Sequence, residues 1–365
     1  MRQESTKYWI GINMNPATTP ARFHLLLNYF PSVEAIWAAS RKELESLDGF
    51  EDAAENFCDA RDEEEVNREL ERCRDLNVDV VTLDDEAYPD SLRAIDKPPP
   101  VLYVKGNYED NDQLGVAMVG TRKNTNYGKK VAKKLAGQLA REGLTLVSGM
   151  ARGIDTYSHK SALESNGRTV AVMGTGFSHT YPKSNANLMR KISESGAVIT
   201  EFPFEQRPTK WTFPQRNRVI SGLTRGTIVV EAPESSGALI TAHDALSQGR
   251  EVFAVPGDVR KPTMKGTHGL IKDGAKLVED ASDVVEEFKD IQATLPFDDA
   301  GEKDEPSLNQ DQKEVYSRLE YEPIHFNDLV AQTDFSTARL SHIMFQLEME
   351  NLVEQLEGNK WVKSK

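Results

Sequence analysis

The sequence predicts an α/β protein: a Rossmann-like, doubly wound, mostly parallel sheet with an N-terminal helical domain and a C-terminal winged-helix domain. Three observations carry that prediction. Strand-length apolar runs alternate with helix-length segments from residue 115 to residue 257, as in a parallel sheet covered on both faces. Before residue 75 apolar residues recur at helical spacing, without a strand-like alternation. After residue 308 three helical patterns precede two short strands around Gly358-Asn359, the order of a winged helix.

Residues 1–80 form the helical domain, with Phe23, Leu26, Leu27, Phe30, Ile36, Leu44 and Leu47 as its apolar positions. Leu47-Asp48-Gly49-Phe50 resembles the hairpin of a helix-hairpin-helix module, where a glycine lets backbone amides approach a phosphate. The next helix carries Glu51, Asp52, Glu55, Asp59 and Glu63 to Glu65, charges that repel DNA. A structural or protein-contact role is therefore favoured.

Residues 81–288 form the Rossmann-like domain with a lead-in segment. Prolines between Asp84 and Pro100 exclude one regular helix there, and Val101–Gly106 reads as a short strand. Strands follow at 115–120, 144–149, 168–174, 196–202, 227–232 and 251–257, with helices at 126–142, 154–164, 185–194 and 238–248. The stretch after residue 202 reads as a long loop. Residues 289–307 form a linker whose DDAGEKDEP run is nearly devoid of apolar side chains, and 308–365 form the winged-helix domain.

Charge separates these parts. The 365-residue chain carries a formal net charge of −14, which would ordinarily repel nucleic acid and anionic membranes. Residues 114–257 hold 19 basic and 10 acidic side chains, a net +9, leaving −23 on the rest of the chain. The winged-helix region has 6 basic and 10 acidic residues, so a protein contact suits it better than duplex DNA. No apolar run reaches the length of a membrane span, and the N-terminus lacks a signal-peptide pattern. Cys58 and Cys73 lack clustered histidines and read as reduced cytosolic thiols rather than a zinc site or a disulfide.

In an open parallel sheet, ligands bind beyond the carboxyl ends of the strands. There the sequence places Gly120-Thr121-Arg122-Lys123, Ser148-Gly149 with Arg152, Gly174-Thr175-Gly176, the Lys210–Arg218 segment and Ser236-Gly237. Small-residue turns let backbone amides approach an anion, and the cations complete a phosphate-binding edge. Phe213, beside Lys210, Arg216, Asn217 and Arg218, suits base stacking next to phosphate contacts. Trp211 reads equally as a core plug or a ligand. Lys129, Lys130, Lys133, Lys134 and Arg141 on one helix are either a solvated face or an extension of a nucleic-acid track.

Catalytic signals are weak. The seven histidines are scattered, and no nucleophile–base or metal-ligand spacing occurs. The sites expected are thus DNA-binding, with no catalytic residue, metal or cofactor. Asp155 offers a general base but better suits a helix cap or a partner for Arg152. Dinucleotide and P-loop fingerprints are missing. Glu231, ending a buried strand, is the best enzymatic candidate, and a nucleoside-monophosphate-type hydrolase on a related sheet is the alternative function. Pro233-Glu234-Ser235-Ser236-Gly237-Ala238 lacks the Pro-Gly-Gly-x-Gly-Thr loop of those hydrolases.

Residues 85–285 resemble the DNA processing protein A family (DprA/Smf). The likeness rests on Gly120-Thr121-Arg122, Ser148-Gly149-x-Ala151-Arg152-Gly153-Ile154-Asp155, Gly174-x-Gly176 with Tyr181-Pro182, and Phe213-Pro214-x-Arg216-Asn217-Arg218. Ser236-Gly237 with Thr241-Ala242, and Val255-Pro256-Gly257, continue it. The resemblance implies a cytoplasmic, non-enzymatic protein that binds and protects single-stranded DNA and loads the RecA recombinase in natural transformation. It further implies contact with single-strand-binding protein and a homodimer through the Rossmann-like domain. Carried over by motif, the DNA contacts are Arg122, Lys210, Phe213, Arg216 and Arg218, with backbone from Gly149 and Ser236-Gly237.

Overall fold

Nine strands form one sheet in the order β1-β2-β6-β5-β4-β3-β7-β8-β9. The structure is a computed structural model, described here for residues 2–292, 310–319, 324–333, 335–349, 352–356 and 360–363. It divides into two units, Met1–Asp290 and Ile291–Lys365. The helical front and the sheet thus share one unit.

The first unit begins with α1 (Arg2–Met14), α2 (Pro20–Tyr29), α3 (Val33–Ala38), α4 (Arg41–Glu45), α5 (Ala54–Asp59) and α6 (Glu63–Asp75). Side-chain oxygens start several of them. Thr19 accepts from Arg22 N, and Ser40 and Glu43 form a reciprocal capping box, satisfying amides that a helix start leaves free. Trp9, Phe23, Phe50 and Phe57 are buried together with Tyr103 and Phe204 of the sheet domain. Leu47 and Phe50 are core residues, and the Glu51 carboxylate accepts from Gly49 N at 2.8 Å. The Gly49 amide thus already holds a carboxylate, and the turn packs the front domain.

The lead-in contributes β1 (Val78–Thr82), α7 (Asp90–Arg93) and β2 (Val101–Gly106). β2 runs antiparallel to both β1 and β6, so the segment extends the sheet by two strands rather than only connecting domains.

The remaining strands and helices are β3 (Val116–Val119), α8 (Asn126–Arg141), β4 (Leu146–Ser148), α9 (Ile154–Glu164), β5 (Thr169–Val172), α10 (Ala186–Ser195), β6 (Ala197–Thr200), α11 (Thr212–Gly222), β7 (Gly226–Val229), α12 (Gly237–Ser247), β8 (Glu251–Ala254), α13 (Lys265–Lys272), β9 (Lys276–Leu277) and α14 (Ser282–Gln292). β3 to β9 pair in parallel. The side chains of β3 to β7 are buried on both faces: Val119, Val147 and Val229 pack with α11 and α12, while Met118, Leu146 and Ile228 pack with α8 and α9. α11 replaces part of the expected long loop. Its Pro214 lies in the first turn, where no amide partner is lost.

The second unit holds α15 (Gln310–Arg318), β10 (Ile324–His325), α16 (Phe326–Gln332), α17 (Thr337–Met349), β11 (Val353–Leu356) and β12 (Lys360–Lys363), its sheet ordered β10-β12-β11. Val315, Leu329, Leu340, Met344 and Trp361 form its core. Most of the expected linker, residues 293–307, and the Gly358-Asn359 turn lie outside the described residues. No described helix is long and apolar enough to cross a membrane.

Candidate nucleic-acid interface

From β3 the chain steps outward through β4, β5 and β6, then returns to lay β7 on the other side of β3. The loops after β3 and β7 therefore part, leaving the crevice where open α/β sheets bind ligands. A cleft of about 700 Å³ opens there. The β3 loop lines it with Gly120, Thr121, Arg122 and Lys123, and the start of α12 with Ser236 and Gly237. Lys210 and the α11 residues Phe213, Arg216 and Asn217 form the facing wall.

The exposed Arg122 guanidinium lies 5.2 Å from the centroid of the Phe213 ring. Tyr181 stands on the same ring at 5.4 Å, tilted by 48°. The Lys210 ammonium sits 4.8 Å from the ring of Trp211, which is 71% exposed. Trp211 is thus no core plug. Two cation–aromatic pairs stand at the cleft, a combination that offers charge to phosphate and flat faces to bases. Gly174 makes room for it, since a Cβ there would stand 2.8 Å from Phe213.

Beneath this surface Arg216 is 4% exposed. Its guanidinium donates to the carbonyls of Gly149 and Val172, both at 2.6 Å, and to Asn217 Oδ1 at 3.2 Å. Asn217 in turn donates to Gly237 O at 3.3 Å. The pair joins the ends of β4 and β5 to the start of α12, so it shapes the wall. Burial lowers the Arg216 pKa to about 10, against the opposing effect of Asp155. Burial raises the pKa of the Asp155 carboxyl, which accepts from Ala151 N at 3.2 Å and feels Arg216 rather than Arg152 as its main cationic neighbour.

Four expected residues do not line the cleft. Ser148 is buried and donates to Met118 O at 2.7 Å. Gly149 lies behind Arg216. Arg152 is exposed but stands off the lining. Arg218, two residues after Arg216 on a helix, faces another way and pairs with Glu201 at 2.5 Å, its other nitrogen donating to Lys97 O. That spacing places 216 and 218 far apart around the helix axis. Lys123 lines the cleft with the rest of its strand-end turn, and Tyr181, marked in the sequence only as part of the family motif, joins the site through its ring contact.

Glu231 does not reach the cleft. It is buried and accepts from Thr125 N and Thr125 Oγ1 at 2.9 and 3.1 Å, while Thr125 caps α8. Among the described residues no group of three or more His, Cys, Asp or Glu side chains is placed to hold a metal ion.

The profile of DNA recombination-mediator protein A matches residues 79–289, and that of the DprA winged-helix domain matches 300–359. The chain belongs to the DNA recombination-mediator protein A (DprA/Smf) family. It is 31% identical to Protein Smf of Synechocystis across 99% of both chains. Among solved structures it is similar to DprA of Streptococcus pneumoniae, with TM-score 0.68 and 34% identity, covering 77% of this chain and 97% of that one. It is also similar to the Helicobacter pylori DNA processing protein A, described for its single-stranded DNA binding mode, with TM-score 0.52 and 27% identity, covering 58% and 96%. The family seen in the motif order is thus the family of the fold, and the winged helix of this DprA/Smf chain is the family's own.

Proposed function

We propose that this DprA/Smf chain binds single-stranded DNA in the cleft between β3 and β7, protects it, and passes it to the RecA recombinase during transformation and recombination. The observation that carries the reading is the Arg122–Phe213 pair at the strand-order reversal. Arg122, Lys210 and the amides of Gly120 and Gly237 contact phosphates, and bases stack on Phe213; the amides of Thr121 and Ser236 donate within the protein, to Glu231 O and Pro233 O, and shape the two turns. Arg216 and Asn217 hold the wall. The binding mode described for the H. pylori relative supports the polymer class. Phosphate and stacking contacts read no base edges, so sequence preference is slight.

The action is binding without catalysis. In the winged-helix unit, Arg339 of α17 pairs with Asp311 and lies 5.4 Å from the Phe335 ring. Its charge is engaged at home, which favours a protein partner such as RecA or single-strand-binding protein for that unit. A homodimer through the Rossmann-like domain completes the assembly, and it acts in the cytoplasm. Filter binding of single- and double-stranded DNA over a salt series tests the reading, with AMP hydrolysis followed in parallel. A preference for single strands with a steep salt dependence supports it. Equal binding of duplex, or AMP cleavage, overturns it.

A further inference from the structure

The cleft takes up Arg122, Lys123, Lys210 and Arg216 but leaves the lysines of α8 unused. Between Asp112 and Glu142 the chain holds no acidic residue. The buried face of α8 includes Gly128, Ala132, Leu135, Ala136 and Leu139, so helical spacing turns Lys129, Lys130, Lys133 and Lys134 to solvent. Lys129 is exposed and sits 5.3 Å from the Tyr157 ring of α9. Lys133 stands 3.9 Å from Glu164. Lys130 and Lys134 are exposed, with no acidic side chain within ion-pair distance among the described residues. Lys160 of α9 adds an exposed charge. The helix starts three residues after Lys123, which lines the cleft.

We propose that the solvent face of α8, centred on Lys130 and Lys134, is a second tract for the strand that leaves the cleft past Arg122 and Lys123. The proposal rests on the single-strand reading of the cleft and extends it. Its occupant is the phosphate backbone of the same strand, argued from charge complementarity and from continuity with the cleft rim. The two lysines are one helical turn apart, about 6 Å along the axis. Among the described residues, the one aromatic ring these four lysines meet is Tyr157, beside Lys129. The tract therefore acts through charge, with lysine as a mobile point charge rather than a geometric reader. In the cleft, by contrast, stacking fixes register.

The measurement compares wild type with the Lys130→Ala, Lys134→Ala double variant, using an oligo-dT of about six nucleotides, within the range one single-strand groove holds, and one several times longer. Alanine suits an exposed helix position, and an unchanged melting temperature confirms the fold. For the long strand the variant should show a plot of log affinity against log salt shallower by about 1.4, near 0.7 for each phosphate that no longer meets a lysine. Affinity for the short strand should stay at the wild-type value. An unchanged long-strand slope overturns the proposal and leaves the face to an acidic protein partner. Equal weakening for both lengths overturns it too, because the lysines then belong to the cleft. Failure of wild type to bind the short strand is a separate result that removes the cleft reading itself.

Discussion

Arg216 of α11 donates to the carbonyl of Gly149 at 2.6 Å, and a Cβ on that glycine would stand 2.7 Å from the guanidinium. The end of β4 and the wall of the cleft are thereby fitted to each other, and neither can change alone. Gly149→Ala should destabilise the protein by about 1–3 kcal/mol, the usual effect of an overpacked site. Because the displaced wall carries Phe213, affinity for oligo-dT should fall as well. Arg216→Lys should not rescue the wall, since an ammonium lacks the planar fork that meets two carbonyls at once. Thermal denaturation and strand binding on both variants check this; a Gly149→Ala protein with wild-type melting and binding would contradict it.

Phe213 is half-buried and carries the Arg122 guanidinium on one side and the Tyr181 ring on another. Phe213→Ala should weaken strand binding by about 1–3 kcal/mol, the range for one stacked base, while Phe213→Tyr keeps most of it. The melting temperature of Phe213→Ala should change little, because most of the wall is held by Arg216 and Asn217. Fluorescence anisotropy with labelled oligo-dT gives the affinities. Equal binding by the alanine and tyrosine variants would show that no base stacks on that ring.

The strand-end turns were legible because small residues and cations there follow the parallel-sheet rule whatever the rest of the fold does. The Arg122 and Ser236-Gly237 loops flank the crevice at the strand-order reversal, and that reversal is what sets distant segments around one cleft. α11 was not legible as a helix: its inward face includes Thr212, Arg216 and Asn217, so buried polar groups break the apolar periodicity on which helix assignment relies. The same fact hid the division of labour between Arg216 and Arg218, which are close in sequence and turned apart by the helix. Val78–Thr82 escaped because an edge strand, paired only with β2, needs little more than one apolar face.

Glu69 of α6 is buried and accepts from Phe204 N at 2.7 Å, with Arg72 at 3.3 Å. It ties the helical front to the loop after β6. Burial raises its pKa, and the Phe204 amide and Arg72 only partly oppose this. With the folded pKa above the unfolded one, the stability gained through Glu69 is complete below the unfolded pKa and is lost as pH rises through the folded pKa. Glu69→Gln keeps an acceptor for Phe204 N and has no charge to bury. Its melting temperature should match wild type at acidic pH and exceed it at neutral pH. A variant that instead falls behind as pH rises would mean that the Arg72 pair outweighs burial.

Arg122 and Lys210 belong to the two cation–aromatic pairs at the cleft, and both are exposed. Their removal opens no cavity and leaves the buried wall untouched, so binding can be tested apart from folding. Equilibrium binding of oligo-dT to the Arg122→Ala, Lys210→Ala variant, at matched salt and with melting temperature followed in parallel, is the most direct measurement of the central claim. Loss of measurable binding with unchanged melting is the predicted result; wild-type affinity with the wild-type salt dependence would contradict it.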